Sequence, residues 1–217
     1  MALVEYLIAR EGLPPRRGLA YDYVLAGDGL YVAGENRYLD VRVPVAPAMV
    51  RGLSPIYPAF TLRSGRLPRE IWEQIVEEAR AWSRSGHEVL LAVTYDRTAG
   101  YRLARPWQVV GPLQVVYQPL SDLVLEIHSH HRHAARFTGI DDADEQRLCV
   151  YGVLGRLDRD RPEVALRVGA YGYFLPVPWE TVFTGDKGAF RDANVDPPEE
   201  RPEEGAEEKE RDDGLPD

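Results

Sequence analysis

Four of the chain's five histidines fall within six residues, His128-Ser129-His130-His131-Arg132-His133, and the segment runs on through Phe137-Thr138-Gly139-Ile140-Asp141. Histidine is the commonest neutral metal ligand, and crowding of this kind has no simple packing explanation. An apolar run at 123–127 leads into it. Strand alternation then puts His128 and His130 on one face, with Ser129 pointing away. Two imidazoles so spaced can share one ion at about 2.0–2.1 Å per nitrogen. A third ligand must come from elsewhere. Thr138 and Asp141 have a spacing close to a capping box, which predicts a helix from Thr138 through 145–148 with Asp141 in its first turn. Two histidines, an aspartate and a water would make a tetrahedral zinc site with one open position, the arrangement of a metallohydrolase. The simpler alternative is that Asp141, like Asp142, only complements the helix dipole.

Several elements must position these groups. Pro68 opens a helix in which Ile71, Trp72, Ile75, Val76, Ala79 and Trp82 recur at helical spacing, and Ser85-Gly86 stops it. The strand expected at 89–95 follows His87-Glu88, the strand at 113–117 follows a turn at Gly111-Pro112, and the strand at 123–127 delivers the histidines. Residues 150–157 and 164–174 read as a terminal strand pair joined near 159–162. A helix, then strands, a short helix and more strands give an α+β layered domain over 68–185. Residues 1–67 read as a β-rich N-terminal region, with a hairpin turn signal at Gly27-Asp28-Gly29. From 186 to 217 the chain is rich in Pro, Glu, Asp and Gly and reads as a disordered acidic tail.

The charge distribution limits the partners. The net charge of −9 lies wholly beyond residue 191, where 12 acids face three bases; residues 1–191 balance with 23 of each. No global basic field argues for nucleic acid. Apolar runs are too short to cross a membrane, and a cytoplasmic protein is expected. The single cysteine, Cys149, rules out an internal disulfide and a multi-thiolate zinc site; it reads as a small buried hydrophobe.

Other families built on H-x-H fail by subtraction. The metallo-β-lactamase pattern H-x-H-x-D-H needs Asp where Arg132 stands, plus a later histidine, and none follows His133. Amidohydrolase-like barrels need later histidines and a far longer chain. The spacing from His128 through His130 and Thr138 to Asp141 instead resembles the JAMM (MPN+) metalloprotease motif H-x-H-x7-S-x-x-D, with Thr138 in place of serine. The run through Asp142, Asp144 and Glu145 to Tyr151-Gly152-Val153-Leu154-Gly155 is similar to the bacterial JAB-domain proteins of PRTRC systems.

The resemblance implies a cytidine-deaminase-like α/β sandwich (the JAB/MPN fold), with one Zn2+ per chain on His128, His130 and Asp141. It also implies a glutamate upstream, at the position of Glu88, as the general base for a zinc-activated water. The implied substrate is an amide or isopeptide bond at the C-terminus of a ubiquitin-like protein, with an E1-like enzyme as a partner of the same system. Thr138 would donate to the tetrahedral oxyanion, a role worth about 2.7–4 kcal/mol, or serve as a helix cap. Glu126 rivals Glu88 as the base, and suits an imidazole partner better. His131 and His133 read as exposed loop residues. Two other functions stay open: a catalytically silent MPN-type scaffold, and a zinc hydrolase of another small amide.

Overall fold

The computed structural model describes residues 2–110, 115–117, 120 and 122–196. The fold is mixed α+β and rich in sheet. An N-terminal sheet takes the order β1 (Val4–Ile8), β2 (Tyr21–Ala26), β3 (Gly29–Glu35), β4 (Leu39–Pro47), β5 (Ala59–Leu62). Only β1–β2 is parallel; the other pairs are antiparallel, and β2–β3 is the expected hairpin. Helix α1 (Arg69–Arg84) starts after Pro68 and ends at Ser85, with Gly86 at φ +78°. There follow β6 (Leu90–Asp96), β7 (Gly100–Ala104), the pair β8 (Gln108–Val110) and β9 (Val115–Tyr117), and β10 (Leu123–Ser129). After helix α2 (Gly139–Asp144) come β11 (Cys149–Gly155), β12 (Glu163–Ala170), β13 (Tyr173–Val177), helix α3 (Trp179–Val182) and β14 (Arg191–Asp192).

The main sheet runs β13-β12-β11-β10-β6-β7, with β14 beside β12. Its two faces follow from strand alternation. Leu91, Val93, Leu125, Ile127, Val150, Leu154, Leu166 and Val168 share one apolar cluster with Ile71, Trp72, Ile75 and Ala79 of α1. The opposite face carries Glu126, His128, Tyr151, Val153, Ala165 and Arg167, and the segment after β10 folds back over it. There Ala135 packs with Val153 and Ala165. Gly155 permits this closeness, because a Cβ at that position would lie 2.2 Å from the Ala135 nitrogen.

The β-rich region 1–67 packs on the rest of the chain: Val32, Leu39, Val41 and Val43 belong to the same core as α1 and the main sheet. Three expectations need correction. Helix α2 stops at Asp144 instead of continuing to 148, as Glu145 leaves helical geometry to meet Arg167. The run 164–174 is broken at Tyr171-Gly172, both with positive φ, into β12 and β13, and α3 and β14 follow it. Folded chain also continues past 186. Phe190, Arg191 and Asp192 are buried, and β14 pairs with β12. The rest of the expected acidic tail, 197–217, and the turn at Gly111-Pro112 lie outside the described residues. Among the described residues no helix is long and apolar enough to cross a membrane.

Candidate metal centre

Strand β10 is hydrogen-bonded on both sides, antiparallel to β6 and parallel to β11, so its end is held rigidly. Beyond that end, the His130 N–H donates to the Leu154 carbonyl at 2.7 Å. The backbone at Ser129 exchanges bonds with Val89: its N–H donates to the Val89 carbonyl, and its hydroxyl accepts from the Val89 N–H, each at 3.0 Å. Ser129 therefore points away from the imidazoles, as alternation requires, and fixes the segment that carries Glu88.

His128 Nε2 and His130 Nε2 face each other at 3.0 Å, and Asp141 Oδ1 lies 3.3 Å from His128 Nε2. The edge of a tetrahedron with bonds of about 2.0–2.1 Å is about 3.3–3.4 Å. The His128–His130 and His128–Asp141 separations are thus close to those of ligands that share one ion. All three lie within 4.8 Å of one another, and this half-buried group could hold a metal ion. His130 Nδ1 faces the Ala134 carbonyl at 3.4 Å. A proton on that nitrogen leaves the Nε2 lone pair free for a cation. Burial drives His128 down to about 4, against the pull of the Asp141 charge, and also lowers His130. In both rings burial favours the neutral form, the form a ligand needs.

Asp141 arrives from the other side. Thr138 is the N-cap of α2: its N–H and hydroxyl donate to Asp141 Oδ2 at 2.6 and 2.8 Å, and its Oγ1 accepts from the Asp141 N–H at 3.4 Å. The capping box is present. It leaves Oδ1 of the same carboxylate turned to His128. The capping role expected of Thr138 is present, with its hydroxyl proton given to Asp141.

Glu88 lies in the extended link just before β6, 8% exposed, and its carboxyl has no hydrogen-bond or ion-pair partner among the described residues. Burial, and secondarily the Asp141 charge, push it up to about 7. Glu126 is also buried, but its charge is felt at Glu145, Cys149 and Tyr151. His131 is not an exposed loop residue. It is half-buried at φ +53° and meets Ser83 Oγ of α1 through Nδ1 at 2.8 Å. His133 is exposed, and His87 meets Ser85. Cys149 is buried in β11, with its thiol held well above its usual pKa by burial.

Sequence reasoning missed two buried anchors. Glu163 accepts from the Ala135 N–H at 3.1 Å and pairs with Arg156 and Arg191, which holds the loop that offers Ala134 to His130. Arg167 pairs with Asp142 and Glu145. For Arg167, a lone charge inside the apolar run of β12 was the available signal. No protein-family model matches the sequence, and no curated protein matches it.

Proposed function

We propose that the protein is a zinc-dependent hydrolase of the JAMM (JAB/MPN) type, acting on an amide or isopeptide bond at the C-terminus of a ubiquitin-like protein. The observation that carries this reading is the convergence of His128, His130 and Asp141, whose charge is felt at Glu88, a buried carboxyl with no partner among the described residues. Zinc bound by the three ligands would lower the pKa of a coordinated water towards about 7. Glu88 would be the group that takes a proton from that water on its carboxylate and returns it to the nitrogen of the leaving amine. In the metal-free fold burial pushes this carboxyl up to about 7, and a bound cation would favour its anion, the form that accepts a proton. Thr138 keeps Asp141 Oδ1 aimed at His128.

The substrate class and an E1-like partner rest on the motif from His128 to Asp141, a narrower support than the metal chemistry. The test is to incubate the protein with fusions of ubiquitin-like modifiers, with and without chelator. Cleavage after the modifier's C-terminus that chelator stops and zinc restores is the expected result. Cleavage that persists unchanged in chelator would contradict the proposal. Full metal loading with no cleavage of any fusion would favour a scaffold, or a hydrolase of another small amide.

A further inference from the structure

Helix α2 delivers Asp141, yet none of its six residues is buried. So short a helix has little stability of its own and needs tertiary anchoring to keep its place. The anchor is Arg167. Its Nη1 lies 2.6 Å from Asp142 Oδ1, while Nε and Nη2 lie 2.8 and 2.6 Å from Glu145 Oε2. The guanidinium carbon sits 3.8 Å from the centre of the Phe137 ring and 3.6 Å from that of Phe174. Arg167 therefore grips the chain on both sides of Asp141, at residue 137 before it and at 142 and 145 after it.

Arg167 is also in line with the histidine strand. It stands opposite Tyr151 in β11, which stands opposite Glu126 in β10, two residues before His128. A direct link from sheet to helix, and so from imidazole to carboxylate, runs through this side chain. Stability alone does not explain the choice. Burying a guanidinium and a carboxylate carries a desolvation cost that an apolar pair would avoid, whereas a planar fork fixes register.

We propose that Arg167 is a positioning residue that sets Asp141 as the third ligand, an inference that rests on the metal-site reading above. The experiment is a Co2+ titration of the full chain, followed by visible absorption. Arg167→Met combined with Glu145→Gln leaves no unpaired charge in the buried pair. This variant should bind Co2+ about 10–100-fold more weakly, with the spectrum of Asp141→Ala and a cooperative thermal transition in the metal-free state. Arg167→Lys, which keeps the charge but not the fork, should shift affinity and spectrum the same way, and it decides the matter if the double variant does not fold. Wild-type affinity and spectrum in either folded variant would overturn the assignment of Arg167. A wild-type protein that binds no Co2+ would overturn the metal reading, and the role of Arg167 with it.

Discussion

The two halves of the candidate metal centre are held by different physics. His128 and His130 sit at the end of β10, paired on both sides within a sheet whose reverse face is the main apolar core. Asp141 sits on a six-residue helix without a buried side chain, kept in place by polar bonds from Thr138 and Arg167. The sheet fixes the histidines through many cooperative interactions, while the aspartate depends on a few local ones. One substitution should therefore do more damage to geometry in the aspartate half, and more damage to binding when it removes a histidine.

Removing one ligand from each half tests that contrast at its strongest. His130→Ala should abolish zinc binding in a calorimetric titration, whereas Asp141→Ala should retain a weaker two-imidazole site; equal losses would erase the distinction. Glu88→Gln should leave zinc binding intact and lower turnover by about 100- to 10,000-fold, and unchanged turnover would move the base elsewhere. Gly155→Ala probes the support beneath the histidine half. Its Cβ would meet the Ala135 nitrogen at 2.2 Å, and the strain should cost about 1–3 kcal/mol in denaturant unfolding. Thr138→Ala probes the other half: it should lose about 1 kcal/mol of cap stability and weaken zinc binding, since its hydroxyl holds Asp141. Full zinc affinity in that variant would make Thr138 a cap alone.

A smaller effect is expected from pH. Glu88 is pushed up to about 7 in the metal-free fold, so the folded state keeps its proton after the unfolded chain has released it. The stability this carries is complete below the usual carboxylate range and is lost as pH rises through about 7. Between about pH 5 and pH 8, the thermal midpoint of the metal-free protein should fall relative to that of Glu88→Gln. Parallel curves would show that Glu88 titrates normally. A bound cation favours the anion and should reduce the difference.

What could be read in advance was what is local in the chain. The alternation that pairs His128 with His130, the cap from Thr138 to Asp141, and the Pro68 start and Gly86 stop of α1 each depend on residues within a few positions of one another. What was hidden is non-local. Arg167 reaches Asp142 and Glu145 across 22 to 25 residues, and Glu163 reaches Ala135 across 28. The docking of Val32, Leu39 and Val41 into the main core left only strand alternation, which marks a buried face without naming what covers it. The acidic composition beyond 186 masked Phe190, Arg191 and Asp192, whose burial depends on β12. Glu88 became visible only through the resemblance, because a glutamate ahead of a strand carries no local signature.

The central claim is that His128, His130 and Asp141 share one metal ion. X-ray absorption at the zinc edge, on full-length protein loaded at neutral pH and measured beside Asp141→Ala, tests it most directly. The account predicts about one zinc per chain, with two imidazole nitrogens at about 2.0–2.1 Å and an oxygen contribution that decreases in the variant. Protein that takes up no zinc, or a coordination shell unchanged by loss of the aspartate, would contradict it.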